Sequence, residues 1–281
     1  MMYHMIACYG AMRHIGVFRA EISDLRRGEK CILRTDRGVE LGEIVSRADV
    51  ASASEDQTVI GQVLRRATAR DVARVAEIEE SFASQEHKFC DGKIKEHSLP
   101  MKLVSVEHLF GGDKIIFYFL AEGRVDFRAL VKDLAAQYRT RIEMRQIGVR
   151  DEARLLADVE HCGRPLCCKS FMKDLAPVTM RMAKAQKTTL DPAKISGRCG
   201  RLMCCLRFED QSYAELREQL PKRGTRVKTP KGVGVVTGTE TLKQTVSVDL
   251  GGDRDETFHV SDLEVAPGDE GSAPPERKAR T

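Results

Sequence analysis

Two stretches of the chain carry the same seven-residue pattern: Cys162-Gly163-Arg164-Pro165-Leu166-Cys167-Cys168 and Cys199-Gly200-Arg201-Leu202-Met203-Cys204-Cys205. Both read C-G-R-x-x-C-C, and the second cysteine heptad begins 37 positions after the first. Six of the nine cysteines lie in these heptads. Chance placement would scatter them, so the rest of the chain is interpreted as built around this repeat.

The cysteines of the heptads are candidate metal ligands, because thiolates suit zinc, copper(I) and iron–sulfur clusters. Structural zinc sites usually use C-x2-C spacing, which the heptads lack. Neighbouring cysteines also diverge too far to close on one small ion, whereas a cluster tolerates irregular spacing. An iron–sulfur cluster is therefore favoured over zinc, and buried unreactive thiols and structural disulfides are weaker alternatives. The candidate ligands are Cys162, Cys167, Cys168, Cys199, Cys204 and Cys205.

The segment from His161 to Arg207 is strongly basic, with ten Lys or Arg against two acidic residues, a net charge of +8. Because the whole chain carries +4, everything outside this segment sums to −4. Such a local excess favours an anionic partner: a cluster, RNA or an acidic protein surface. The basic residues beside the cysteines are Arg164, Lys169, Arg198 and Arg201.

Length and composition predict a cytoplasmic protein of several modules. The chain has 281 residues, 42% of them hydrophobic and 31% charged, which is long for a single core. It contains no apolar run of 18 residues that would span a membrane, and no convincing export signal. In the cytosol, where thiols stay reduced, clustered cysteines more often bind metal than form disulfides.

The pattern along the chain predicts an α+β protein. A small N-terminal β-module and linker are expected first, then an α+β layer with an antiparallel sheet, a Cys-rich core segment and a C-terminal small β-barrel. A disordered tail follows, because the end of the chain is rich in Pro, Gly and charge. The predicted boundaries are 1–58, 59–148, 149–220, 221–266 and 267–281.

Local patterns sharpen this outline. Thr68 begins a helix with a capping box, and an apolar stripe through Phe82 is predicted to pack in the core. Residues 115–120 read as a central strand because all six are apolar. The segments 34–39 and 228–233 share the pattern [RK]-T-x-[RK]-G-V, which predicts two hairpins of similar turn chemistry.

Residues outside the heptads give little indication of catalysis. Cys8 and Cys31 stand alone and are interpreted as buried small hydrophobes. His161 adjoins the first heptad and is interpreted as a neighbour rather than a ligand. The chain has no phosphate loop, no H-E-x-x-H and no nucleophile elbow. The heptads also lack C-x-x-C, so thiol-redox chemistry is disfavoured and no enzymatic activity is expected.

The region from Ile147 to Glu209 resembles the RicT (YaaT) family, bacterial proteins with a PSP-type C-terminal domain. The likeness is carried by residues 147–153, both heptads, Met182-Ala183-Lys184 and residues 194–198. The resemblance implies a non-enzymatic subunit that forms a cytoplasmic complex with two small helical proteins, RicA and RicF. It also implies [4Fe–4S] clusters associated with the heptad cysteines. The complex would direct RNase Y in mRNA maturation, with effects on sporulation, competence and biofilm formation.

Two functions remain open at this stage. The first is a regulatory scaffold whose cluster shapes a surface for partner proteins. The second is a zinc-stabilised RNA-binding module in which the basic segment contacts phosphates directly. The scarcity of aromatic residues for base stacking, with Phe171 alone in the segment, argues against the second.

Overall fold

The computed structural model describes residues 2–48, 59–252 and 255–265. The chain forms two compact units. The N-terminal unit comprises residues 1–175 with 196–201, and the C-terminal unit comprises residues 176–195 with 202–281. The predicted α+β fold class is confirmed. The predicted linker, residues 51–58, and the predicted tail, residues 267–281, lie outside the described residues.

The N-terminal unit begins with a closed five-stranded barrel of order β1-β2-β5-β3-β4. Strand β5 pairs in parallel with β2 and antiparallel with β3. Since β5 lies beyond residue 58, the barrel continues past the end predicted for the first module. Alternate side chains such as Met5, Phe18 and Leu33 fill its core. The strands are β1 (Tyr3–Tyr9), β2 (His14–Ala20), β3 (Lys30–Arg34), β4 (Val39–Arg47) and β5 (Val59–Arg66).

The second part of the N-terminal unit packs helices on a three-stranded sheet of order β6-β7-β8. The central strand β7 is buried along six of its seven residues, as its apolar sequence predicts. Strand β8 runs parallel to β7 and not antiparallel, because helix α3 carries the chain back across the sheet. The elements are α1 (Ala69–Glu77), α2 (Ala83–Glu96), β6 (Lys102–His108), β7 (Lys114–Leu120), α3 (Arg128–Tyr138) and β8 (Arg141–Gln146).

The capping box at Thr68 is confirmed, since its hydroxyl accepts from the Asp71 N–H and the Asp71 carboxylate accepts from the Thr68 N–H. A π-helical turn, Ile78–Phe82, then separates α1 from α2. The extra residue of this turn rotates the helix face. Phe82 is consequently 38% exposed, so the prediction that it continues the buried stripe was wrong.

A buried charge network joins the barrel to this sheet within the N-terminal unit. Arg37, in the β3–β4 turn, donates to Glu107 of β6 over 2.5 Å, and the Tyr118 hydroxyl donates to the same carboxylate over 2.6 Å. Glu40 lies 3.5 Å from the Arg37 guanidinium. Gly10 is required beside it, because a Cβ there would lie 2.6 Å from Arg37 Nη1. The network therefore fixes the barrel hairpin on the sheet.

Short helices follow β8. Helix α4 (Val149–Leu156) belongs to the N-terminal unit. In the C-terminal unit, Ala183, Ile195 and Leu206 form a small apolar core. They come from three different helices, which are α5 (Met180–Ala185), α6 (Pro192–Ile195) and α7 (Cys204–Glu218).

The C-terminal unit ends in a five-stranded antiparallel sheet of order β12-β11-β10-β9-β13. A small barrel was predicted here, but within residues 226–252 and 255–265 the edge strands β12 and β13 do not pair, so the described sheet is open. Val227, Val236 and Val248 form its core. The strands are β9 (Arg226–Thr229), β10 (Gly232–Glu240), β11 (Thr245–Asp249), β12 (Glu256–His259) and β13 (Glu264–Val265).

The two hairpins predicted from the shared [RK]-T-x-[RK]-G-V pattern have the same turn. In each, the threonine hydroxyl donates to the glycine carbonyl and accepts from the N–H of the residue before the glycine. The glycines Gly38 and Gly232 have φ of 146° and 140°, a conformation that disfavours other residues. The bonds are Thr35 Oγ1 to Gly38 O at 3.2 Å, Arg37 N to Thr35 Oγ1 at 3.1 Å, Thr229 Oγ1 to Gly232 O at 2.9 Å and Lys231 N to Thr229 Oγ1 at 3.1 Å.

Candidate metal centre

The two cysteine heptads fold into the same turn. Four main-chain hydrogen bonds recur at positions 37 apart, so backbone conformation alone defines the turn. In the first heptad, N–H groups of Gly163, Glu160, Leu166 and Lys169 donate to the carbonyls of Glu160, Arg164, Asp158 and Leu166 at 2.9, 3.0, 3.1 and 2.9 Å. In the second heptad, N–H groups of Gly200, Gly197, Met203 and Leu206 donate to the carbonyls of Gly197, Arg201, Ile195 and Met203 at 2.8, 2.9, 2.9 and 3.2 Å.

The glycine of each heptad supplies the backbone conformation that closes the turn. Gly163 has φ of 75° and Gly200 has φ of 71°. A Cβ at either position would meet nothing within 4 Å. Glycine is therefore required by backbone conformation and not by space, because L residues are strained in the left-handed region.

Each turn delivers its vicinal cysteines to the start of helical backbone. Cys204 and Cys205 are the first two residues of α7. After the first heptad, the Met172 N–H donates to the Cys167 carbonyl over 2.9 Å, which extends a short helical turn. Burial raises the pKa of the Cys205 thiol, and Cys204 and Glu209 raise it further. That thiol is therefore protonated at neutral pH unless a bound cation stabilises the thiolate.

Glu160 was not singled out by the sequence, yet its carboxylate contacts both turns within the N-terminal unit. It accepts from the His161 N–H over 3.0 Å and from the Arg198 N–H over 3.1 and 3.2 Å. A Cβ on Gly197 would lie 3.1 Å from the same carboxylate. Glu160 therefore brings the start of the second turn to the start of the first. The only sequence signal was one acidic residue directly before a basic segment.

The basic residues expected beside the cysteines differ in their surroundings. Arg164, Arg198 and Arg201 are exposed. Lys169 instead forms an ion pair with Asp158 and donates to the Ala157 carbonyl over 3.4 Å. The charge of Lys169 is thus already neutralised within the N-terminal unit.

Lys173 is a second residue that sequence reasoning missed. Its ammonium donates to the carbonyls of Lys169 at 2.9 Å and Cys168 at 3.4 Å. Burial lowers the pKa of Lys173 and nearby Arg154 lowers it further, whereas the thiols of Cys8 and Cys168 act in the opposite direction. Lys173 therefore places a cation beside the buried cysteine of the first heptad.

The thiols divide into two classes. Cys8, Cys31 and Cys90 are buried outside the heptads, and burial raises the pKa of Cys31 to about 11 and that of Cys90 to about 12. The prediction that Cys8 and Cys31 are buried small hydrophobes is confirmed. In the heptads, Cys162 is exposed, Cys168 is buried, and the other four are half-buried. Of the nine cysteines, all of which lie in the described part of the chain, only those of the heptads therefore offer thiols near the surface.

The chemistry of the heptads fits a thiolate-ligated metal, because they supply soft donors in two matched turns. All nine cysteines are free thiols. Within the described ranges, no three His, Cys, Asp or Glu side chains are already gathered as a metal site. His161 lies 3.5 Å from the Glu160 carboxylate and is half exposed.

Comparison with known proteins places the chain in a family. The PSP1 C-terminal conserved region matches residues 61–147, and the third domain of PSP1-like proteins matches residues 177–220. The chain belongs to the PSP1 family, to which these matches and the relative below assign it. It is similar to the stage 0 sporulation protein YaaT of Bacillus subtilis (strain 168), with 47% identity over 219 residues, 78% of this chain and 79% of that protein. The resemblance to the RicT (YaaT) family is thereby confirmed.

A more distant relative is an uncharacterised protein of Schizosaccharomyces pombe, 27% identical over 146 residues, which are 43% of this chain and 20% of that protein. No solved structure matches the chain. Among the described residues, no helix is long and apolar enough to cross a membrane.

Proposed function

We propose that this protein is a non-enzymatic subunit of a cytoplasmic iron–sulfur regulatory complex. The observation that carries the proposal is the pair of cysteine heptads, which share one backbone turn and hold six free thiols. An enzyme needs a nucleophile or acid–base pair in a cleft, whereas these heptads offer soft ligands on two turns. Similarity to a stage 0 sporulation protein supports a regulatory role.

In this proposal the six heptad cysteines are the pool from which a [4Fe–4S] cluster takes its ligands. A bound cluster supplies an anionic, oxygen-sensitive centre. The chain contributes two turns of fixed backbone, the Glu160 bridge between them and the nearby cation of Lys173. Arg164, Arg198 and Arg201, which are exposed, face an acidic partner or RNA. RicA- and RicF-like helical proteins are the proposed partners, and RNase Y-dependent mRNA processing is the proposed output.

A zinc-stabilised RNA-binding module is the second candidate. One observation favours it: Arg164, Arg198 and Arg201 are exposed and make no ion pair with carboxylates in the described part of the chain. Unpaired arginines at a rigid turn are suited to phosphate contact. The C-x4-C-C spacing still argues against a single tetrahedral zinc.

The test is anaerobic purification of the full chain, followed by a visible spectrum and iron, sulfide and zinc assays. Wild type is compared with Cys167→Ala and Cys204→Ala, and with Cys90→Ala as a control that removes a thiol from the core. We expect a brown protein whose iron, sulfide and visible absorption fall in both heptad variants but not in the control. Colourless protein with one zinc per chain would replace this proposal with the RNA-binding module.

The partner assignment needs its own measurement. Purified RicA- and RicF-like proteins are mixed anaerobically with the chain, and the complex is detected by size-exclusion chromatography with light scattering. We expect the complex to carry iron and sulfide and to dissociate or fail to form with Cys204→Ala. A complex that forms equally with the cysteine variant would separate partner binding from the cluster.

A further inference from the structure

Three polar side chains form a row across adjacent strands of the N-terminal barrel. In the strand register, Gln62 of β5 is paired with Arg19 of β2 on one side and with Arg34 of β3 on the other. The neighbouring residues Phe18 and Leu33 point into the barrel core. Because successive side chains alternate between faces, Arg19, Gln62 and Arg34 all project outward, and all three are exposed.

The row borders a groove of about 410 Å³ formed entirely by barrel residues. The close approach of β5 to β3 keeps its floor low, because a Cβ on Gly61 would lie only 2.0 Å from the Arg34 carbonyl oxygen. Asp36 closes one end, so a chain of negative charge is directed across Gln62 and not past Asp36. The groove is lined by Arg19, Arg34, Thr35, Asp36, Val59, Ile60, Gly61 and Gln62.

The second copy of the hairpin pattern provides an internal comparison. Lys228 and Lys231, in the C-terminal sheet, form ion pairs with Glu264 at 2.9 Å and Glu256 at 2.6 Å. Arg34 occupies the position equivalent to Lys228. Among the described residues, neither Arg34 nor Arg19 forms an ion pair with a carboxylate. The hairpin therefore does not need a charged partner of its own, and the two guanidinium groups are available to a ligand.

We propose that this face of the barrel binds the phosphodiester backbone of single-stranded nucleic acid. Guanidinium groups bind phosphate oxygens in a planar, bidentate manner. Arg19 and Arg34 stand two strands apart, about 10 Å between backbones, so they address successive positions along a strand. The Gln62 amide between them donates and accepts, as a sugar hydroxyl or base edge requires. None of the lining residues is aromatic, so affinity rests on phosphate contacts and not on base stacking.

This site is separate from the cysteine heptads, and its test separates the two. Fluorescence anisotropy measures binding of the full chain to a labelled oligouridylate of roughly twelve nucleotides. Parallel arms use oligodeoxythymidylate and duplex RNA of the same length. The variant Arg19→Gln/Arg34→Gln is compared with Arg70→Gln/Arg124→Gln, which removes two exposed arginines from elsewhere in the N-terminal unit. A third variant, Arg164→Gln/Arg201→Gln, removes charge from the heptads.

We expect the groove variant to bind about tenfold more weakly and the Arg70/Arg124 control to bind as wild type does. The slope of log affinity against log salt should fall by about 1.4, because each lost single-strand phosphate contact contributes roughly 0.7. Tighter binding to the RNA arm than to the DNA arm would assign the sugar hydroxyl to Gln62, and equal binding would assign pure backbone recognition.

Three results would overturn the proposal: an equal loss in the groove and control variants, a loss only in the heptad variant, or tighter binding of duplex than of single strands. Circular dichroism and the thermal midpoint should be unchanged in the groove variant, because both arginines are exposed. An altered thermal midpoint would itself contradict the assignment of these side chains to ligand binding alone.

Discussion

At the scale of single residues, the turn glycines are held by φ alone. Gly163→Ala should lower the free energy of unfolding by about 1–2 kcal/mol, because an L side chain is strained in the left-handed region. Gly92→Ala is the matched control in the same unit: Gly92 lies inside α2 with open space around it, so alanine should stabilise by about 0.5–1 kcal/mol.

Urea denaturation of both variants measures the difference. Equal effects of the two substitutions would show that the backbone of the first heptad is not constrained as described. Both glycines are exposed, and a Cβ added at either would meet no heavy atom within 4 Å. The sign of the change therefore isolates backbone conformation.

His14 predicts a pH dependence. Burial lowers the pKa of His14 to about 4, and the cations Arg37, Arg154 and Arg145 lower it further. The unfolded chain takes up the proton near pH 6.5, whereas the folded protein resists it. Stability contributed by His14 is therefore complete above pH 6.5, declines as the pH falls below that value, and is lost near pH 4.

Denaturant midpoints between pH 7 and pH 4 test this, with His14→Gln as the comparison. We expect the glutamine variant to lose less stability over that interval than wild type. His87, which lies on α2, provides the control as His87→Gln, and its pH profile should follow that of wild type. Parallel profiles for wild type and His14→Gln would contradict the assignment.

The sequence identified the cysteines and turn glycines because a repeated pattern is visible without structure. It could not identify Glu160, since that carboxylate matters only when two segments 38 positions apart approach each other. Lys173 was missed for the same reason: its significance comes from burial beside Cys8, which lies in a distant strand.

At the scale of elements, the Arg37–Glu107 pair joins hairpin and sheet. The side chains of Arg37 and Glu107 are 9% and 11% exposed. Removing one member of such a pair leaves an uncompensated buried charge, so Arg37→Met should cost about 3–5 kcal/mol of unfolding free energy. Chemical denaturation measures the cost, with the exposed Arg70→Met as a control expected to change it by less than about 0.5 kcal/mol. Similar costs for both would contradict a tertiary role for the network.

Elements whose signals are local followed the sequence well. The capping box at Thr68 and the two threonine–glycine turns need only a few consecutive residues, and all three formed as expected. The π-turn at Ile78–Phe82 and the parallel pairing of β8 depend on packing against the sheet. Helical periodicity cannot reveal an inserted residue in the turn, and strand alternation is the same in parallel and antiparallel sheets.

At the scale of the whole molecule, the nine thiols report on its organisation. Native protein without metal, treated with iodoacetamide, should be alkylated first at the exposed Cys162 and more slowly at the half-buried heptad thiols. Cys31 and Cys90 should react only on global unfolding, because both are buried and have a raised pKa. Mass spectrometry of timed samples gives the order. Early labelling of Cys90 would show that the sheet core is open.

The α+β class and the order of modules could be inferred from composition and pattern, because hydrophobic periodicity reports which residues are buried. The closure of the barrel by β5 could not, since a parallel partner distant in sequence leaves no local mark. The open C-terminal sheet has the same explanation, because strands of a barrel and of an open sheet alternate alike.

The Glu160 bridge also has a consequence for biosynthesis. The carboxylate is translated 38 residues before the Arg198 N–H that it accepts from. At roughly 5–20 residues per second, the interval is about two to eight seconds. During that time the thiols of the first heptad have been synthesised while those of the second do not yet exist. Delivery of iron to the nascent chain would therefore meet half of the ligands, so productive loading belongs after synthesis of residue 205.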